Sequence, residues 1–249
     1  MTEIIYGRHP VLEALRSNQP ISRILLARGA RTKGPVSEIL DRARAGNIPV
    51  QWVDRTQLDN MARSHQGVVA AVPAFSYATV DDMLALARQR NERPLLLVLD
   101  QVQDVHNLGT LIRTAEAVGV HGVIIPARRT AGVTPAVHKS SAGAVAHLLV
   151  AQVTNLVRAL KDLKEQGLWV VGLDVAGDQD YDGLDWAMPA AIVVGSEGRG
   201  LGRLVRESCD ILVRLPMRGK IDSLNAAVAG SIVLYAAWRH GAGQQAAGG

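Results

Sequence analysis

Residues 94–126 read PLLLVLDQVQDVHNLGTLIRTAEAVGVHGVIIP, and this stretch decides the fold. Its first part, 95–100, is an almost wholly apolar run of strand length, the pattern of a parallel strand buried on both faces. Leu108, Leu111, Ile112 and Ala115 then recur at helical spacing, and Gly119 follows where a helix would end. A second apolar run occupies 122–126. Strand, crossover helix and strand make a βαβ unit, which predicts a mostly parallel sheet with helices on both faces.

The alternation continues on either side. Residues 168–174, 190–195 and 211–215 read as further strands, and 223–238 as a long apolar helix. Thr154 is placed to cap a helix carrying Leu156, Ala159, Leu160 and Leu163, closed by Gly167. Upstream, helices are expected over 10–16, 35–45 and 57–63, and strands over 23–27, 49–53 and 67–72. The helix at 35–45 has Pro at its first turn and Gly46 past its end. The expected organisation is a small α/β domain over 1–74, a connection over 75–93, an α/β domain over 94–241, and a disordered Gly/Ala/Gln tail over 242–249.

In 249 residues, 48% are hydrophobic and 20% charged, which suffices for packed cores and excludes a disordered chain. The one cysteine, Cys209, excludes a disulfide framework and a cysteine-based zinc site, and fits a reducing cytoplasm. The seven histidines show no ligand spacing, so no metal is expected. The opening MTEIIYGRHP lacks the pattern of a secretory signal, and the longest apolar run falls short of a membrane span. Charge is placed unevenly: residues 1–75 hold ten Lys or Arg against six Asp or Glu, whereas 76–249 hold seventeen of each. Nine of those ten cations are arginines, suited to bidentate phosphate contact, so the first segment is a candidate for capturing a polyanion. With aromatic residues at 4%, a base-stacking platform is not expected.

Ligands of open parallel sheets bind beyond the carboxyl ends of the strands. Three clusters lie there. In DQVQDVHNLGTLIR (100–113), Asn107 is a possible helix cap and Arg113 leans back toward it. In VVGSEGRGLG (193–202), a glycine-rich loop carries Glu197, but its spacing fits neither a P-loop nor a dinucleotide fingerprint. In LPMRGKIDSLNAAVA (215–229), Asp222 or Ser223 is placed to cap a helix of small residues whose face suits a close backbone or subunit contact. Read singly, a capped helix, a tight surface turn and a well-capped core helix explain the three as well.

Together the clusters resemble the three signature motifs of the SpoU/TrmH RNA ribose 2′-O-methyltransferases. The first is Asn107-x-Gly109-x-x-x-Arg113, the second Val194-Gly195-Ser196-Glu197-Gly198-x-Gly200, and the third runs from Leu215-Pro216-Met217 to Ser223-Leu224-Asn225. Tyr6-Gly7-Arg8-His9-Pro10-Val11 and His65-Gln66-Gly67-Val68 are similar to the substrate-binding domain of the RlmB-type enzymes, which methylate a guanosine of 23S ribosomal RNA. The third motif departs from the usual SLNVSVA, having Ala227 where a hydroxyl is common.

The resemblance implies a SPOUT-type parallel-sheet domain with a trefoil knot, preceded by an α/β domain like ribosomal protein L30e. It implies S-adenosylmethionine bound by Leu173, Gly195, Gly198, Leu215, Met217, Leu224 and Asn225. Arg113 would be the base or an electrostatic stabiliser, with Asn107, Glu197 and Ser223 orienting the ribose. Arg8, His9, Arg23, Arg28, Arg31 and Lys33 are the candidate RNA contacts. A homodimer in the cytoplasm, with the first-motif and final helices at its interface, completes the expectation. A transfer RNA or another ribosomal site as target, and a non-catalytic RNA-binding protein, remain the alternatives.

Overall fold

The computed structural model describes residues 2–242. The 242–249 tail lies outside the described residues, apart from the backbone of Ala242. In chain order the elements are β1 (Thr2–Tyr6), α1 (Arg8–Arg16), β2 (Arg23–Ala27), α2 (Pro35–Ala45), β3 (Val50–Val53), α3 (Arg55–Asp59) and β4 (Val68–Pro73). Next come α4 (Val80–Arg90), β5 (Leu95–Leu99), α5 (Val105–Ala117), β6 (Gly122–Pro126), α6 (Pro135–Ser140), a 3-10 turn (Ala144–His147) and β7 (Val150–Val153). The chain continues through α7 (Leu156–Glu165), β8 (Trp169–Leu173), β9 (Gln179–Asp180), β10 (Ala190–Val194), α8 (Arg203–Ser208), β11 (Ile211–Arg214) and α9 (Ala226–Ala242).

These elements form two units, Met1–Ser76 with Val133–His147, and Tyr77–Gly132 with Leu148–Gly249. The first holds a four-stranded sheet in the order β1-β4-β2-β3, with only the β2–β3 pair parallel. One face packs on α1 and α2 through Ile5, Val11, Leu15, Ile24, Leu26 and Ile39, and the other covers Leu58 of α3. The return of 133–147 to this unit is not visible in the sequence. It is fastened there by His147 Nε2 on Glu13 Oε2 at 2.8 Å. Gly143 sits so close to α1 that an added Cβ would lie 2.7 Å from Glu13 Cβ.

The second unit is the parallel α/β fold expected from 94–126. Its seven strands run β7-β6-β5-β10-β8-β11-β9, and every pairing is parallel. Each residue of β10 is buried, as are Leu96, Leu97, Val98 and Leu99 of β5, because helices cover both faces. Leu96 and Val98 face α4 and α7 through Met83, Leu84, Leu160 and Leu163. Residues 75–93, read as a connection, therefore contribute α4 to this core. On the other face α9 meets α5 and β10, and a Cβ on Gly230 would lie 2.7 Å from Leu111 Cδ2 and 3.0 Å from Val194 Cγ2. The small-residue face of α9 thus packs within the chain, while Val228, Tyr235 and Trp238 are its exposed large apolar residues.

Three caps fall elsewhere than the sequence suggested. Asp104, not Asn107, caps α5, accepting from Asn107 N at 2.8 Å. Asn155, not Thr154, caps α7 by accepting from Arg158 N. The helix expected from 223 starts at Ala226, where Asn225 Oδ1 accepts from Ala227 N at 2.9 Å and Val228 N at 3.2 Å. Asp222 and Ser223 stay in the preceding loop, where Ser223 Oγ donates to Asp222 Oδ1 at 3.3 Å. In all three, several residues at the helix entry are chemically able to cap, and only the path of the loop selects one.

Candidate active site and nucleic-acid interface

β8, β10 and β11 are neighbours, and the loops leaving their carboxyl ends enclose a cavity of about 850 Å3. That lies within the range of cofactor and small-ligand sites. Its walls come from Leu173 to Val175 after β8, Val194 to Gly200 after β10, and Leu215, Met217 and Asp222 to Ala226 after β11, with Ala229 from α9.

The β10 loop folds back on itself. Ser196 and Gly200 exchange both backbone hydrogen bonds at 3.0 Å, leaving Glu197, Gly198 and Arg199 at the tip. Gly198 and Gly200 have φ of 79° and 63°, a region in which other residues are strained. Gly195 has a different reason to be glycine: a Cβ there would run into the backbone of Gly200. The loop is tied down by Asp100, 4% exposed, which accepts from Gly202 N at 2.7 Å.

With Asp104 as cap, the Asn107 carboxamide is free for the site. Its Nδ2 donates to Glu197 Oε2 at 3.0 Å, and Asn225 Nδ2 donates to Asn107 Oδ1 at 3.0 Å and to Glu197 Oε1 at 3.3 Å. One residue from each of the three clusters therefore meets in a single network, joined across 90 and 118 positions of chain. Asp174, also in the wall, accepts from Arg206 Nε at 3.0 Å, which fixes the β8 loop to α8. Beneath β8, burial first and Asp210 second push the Cys209 thiol up to about 12, so the lone cysteine is not a nucleophile here.

Leu173, Gly195, Gly198, Leu215, Met217, Leu224, Asn225, Glu197 and Ser223 all line this cavity. Arg113 does not. It is exposed on α5 with no hydrogen bond or ion pair to it among the described residues. Asp100, Asp174 and Arg199 were not singled out from sequence. Asp100 and Asp174 close strands β5 and β8, the positions where ligand-site residues gather, and that signal was available.

The first unit has a cavity of its own, of about 740 Å3, beyond the end of β2. Arg8, His9, Arg28, Arg31, Arg55, Gln66 and Gly67 are among its lining residues, and no carboxylate is. Arg28 has one counterion, Asp54, at 3.4 Å. Arg16 and Arg42 are tied instead to Glu38, and these two guanidiniums hold its carboxyl down to about 2. Four of the six residues expected to touch RNA thus converge, while Arg23 and Lys33 stand apart. Arg23 opens β2 and Arg28 follows its end, a separation of about 16 Å at strand rise. Arg55, the first residue of α3, was missed.

Among the described residues no group of three or more His, Cys, Asp or Glu is placed to hold a metal ion. No helix among them is long and apolar enough to cross a membrane.

A cavity beyond the carboxyl ends of a parallel sheet defines an α/β domain that binds a cofactor or nucleotide. An arginine-lined cavity in the companion unit defines a domain for phosphate-rich ligands. Comparison with known proteins narrows this class. Residues 94–235 match the SpoU rRNA Methylase family, and residues 4–78 match the RNA 2′-O ribose methyltransferase substrate binding family. The chain belongs to the SpoU methylase family. It is 45% identical over 238 residues to YacO of Bacillus subtilis, named for the TrmH family of tRNA/rRNA methyltransferases, covering 95% of both chains. The SpoU methyltransferase AviRb of Streptomyces viridochromogenes, solved with AdoMet, superposes with a TM-score of 0.81 at 26% identity, over 99% of this chain and 92% of that one. An AdoMet-bound rRNA methyltransferase of Sinorhizobium meliloti gives 0.78 at 26% identity, over 96% and 87%.

Proposed function

We propose that the protein methylates a ribose 2′-hydroxyl of RNA, with a guanosine of 23S ribosomal RNA as target, acting in the cytoplasm. The observation that carries this is the hydrogen-bond network in which one residue of each motif, Asn107, Glu197 and Asn225, meets at the wall of the cavity. S-adenosylmethionine is the donor and supplies a methyl group already activated by its sulfonium charge. The residues present suit it. Leu173, Leu215, Met217 and Leu224 offer apolar surface to a nucleoside, and the carboxylates of Glu197 and Asp222 suit a cationic centre. The folded-back 195–200 backbone offers peptide groups to polar edges.

Alignment is the main task of the protein. Glu197, held as an acceptor by two amide donors, is the group placed to take a hydrogen bond from the ribose hydroxyl. A guanidinium offers five donors and no acceptor, so the part of Arg113 is to grip a phosphate or stabilise the developing oxyanion. It lines no part of the cavity of its own chain, so we assign the working state to a homodimer. The second copy covers the exposed Val228, Tyr235 and Trp238 of α9 beside α5 and supplies the arginine. The knotted chain path belongs to the same reading. The first unit captures the RNA.

The test is methyl transfer from labelled S-adenosylmethionine to total RNA by the full-length protein, with 2′-O-methyl positions mapped. One ribose-methylated guanosine in large-subunit RNA is expected. Label in transfer RNA alone would move the target, and no ribose label in any RNA would overturn the activity.

A further inference from the structure

The arginine-lined cavity of the first unit has a feature that general phosphate attraction does not require. Beside the cations, one neutral amide, Gln66, is held in a rigid and unfavourable conformation. Ser64, Gln66 and Gly67 have φ of 58°, 54° and 83°, so three of four successive residues are left-handed and two of them are not glycine. Such a segment persists only where its surroundings over-determine it.

The surroundings are specific. His65, 2% exposed, is buried at the centre of the turn. Its Nδ1 accepts from Gly67 N at 2.9 Å, so Nε2 carries the hydrogen and donates to Asp59 Oδ1 at 2.8 Å. Arg8 clamps the other side: its backbone N donates to Gln66 Oε1 and its Nε to Gln66 O, both at 3.2 Å. The amide oxygen of Gln66 is thereby occupied. Its NH2 group, exposed at the cavity wall, has no partner among the described residues.

A fixed amide donor beside converging guanidiniums fits a nucleotide whose base edge is free. A paired base has its Watson–Crick edge occupied, and the deep groove of an RNA helix keeps side chains from the bases. The cavity is lined by no Phe, Tyr or Trp, but the His9 imidazole and guanidinium planes also stack on bases. Resting on the RNA-capture reading, we propose that this cavity takes one unpaired nucleotide of the substrate RNA. Arg28, Arg31 and Arg55 hold its phosphates, and Gln66 Nε2 donates to an acceptor on its base. Asp59 and His65 are positioning residues that keep Gln66 in place.

The experiment uses full-length protein and two RNAs of equal phosphate count, a hairpin with an unpaired loop and a fully paired duplex, titrated by anisotropy over a range of KCl. The parent prefers the hairpin. Gln66→Asn tolerates the left-handed backbone but withdraws the amide by one methylene. It should lower the hairpin preference roughly fivefold, the effect of about one hydrogen bond, with the salt slope unchanged. Arg55→Gln should instead flatten the slope for the hairpin by about one. Asp59→Asn keeps an acceptor for His65 and keeps the preference, whereas Asp59→Ala loses it. Equal affinity of the parent for both RNAs, or an unchanged preference in Gln66→Asn, would overturn the proposal while leaving RNA capture standing. If the parent binds neither RNA, both fall.

Discussion

Asn225 performs two separable tasks, and truncating it in two ways tells them apart. Its Oδ1 caps α9 through Ala227 N and Val228 N, while its Nδ2 bridges Asn107 and Glu197. Asn225→Ser retains a good capping oxygen but loses the bridge. The bridge is partly exposed and one bond is long, so its loss should cost about 1 kcal/mol, at the low end for two hydrogen bonds. Asn225→Ala loses the cap as well, for about 1 kcal/mol more. At roughly 2–4 °C per kcal/mol for a unit of this size, melting of the second unit should fall by a few degrees in the serine variant and about twice that in the alanine variant. Amide hydrogen exchange gives the local check. Ala227 and Val228 should stay protected with serine and exchange early with alanine. Cofactor affinity, read by calorimetry, should fall in both, because Glu197 loses one of its two orienting donors. Equal destabilisation by the two substitutions, with equal exchange at 227 and 228, would refute the division between cap and bridge.

Gly195→Ala should abolish cofactor binding, because its Cβ collides with the Gly200 backbone and forces the loop open. Gly198→Ala, strained but with open space, should cost only about 1 kcal/mol and retain binding. Burial holds His138 down to about 4, so the unfolded chain takes up the proton first as pH falls below 6.5. The first unit should lose up to about 3 kcal/mol of stability between pH 6.5 and 4. His138→Phe should flatten that loss, which urea midpoints read by exchange of β4 amides will show. Maleimide should modify Cys209 roughly a thousandfold more slowly in the native protein than in urea at pH 8, given a thiol pushed up to about 12.

Much of the second unit was legible because its elements are locally over-determined. Apolar runs such as LLLVL and AAIVV have one reading in a parallel sheet, and the stripe of α5 shows its period without help from the rest of the chain. The short strands β1 and β7 carry little signal alone and exist through pairing, β1 with Val68–Pro73 and β7 with Gly122–Pro126. Residues 75–93 read as a connection and yet hold α4, since amphipathicity shows that a face is buried and not against what.

Residue identities and spacing alone determined the fold class, the polyanion-seeking charge of the first segment, and the loops from which a site would be built. Those properties are local: period, composition, and the glycines a tight loop needs. Only the tertiary structure decided that Asp104 frees Asn107 to reach Glu197, that 133–147 returns to the first unit, and that Arg55 joins the basic cavity while Arg23 does not. It also decided that Arg113 stands outside the cavity that Glu197 and Asn225 line. Each of these depends on where the path of a loop or helix carries one of several chemically equivalent side chains. That is a property of the packed chain, and no stretch of sequence contains it.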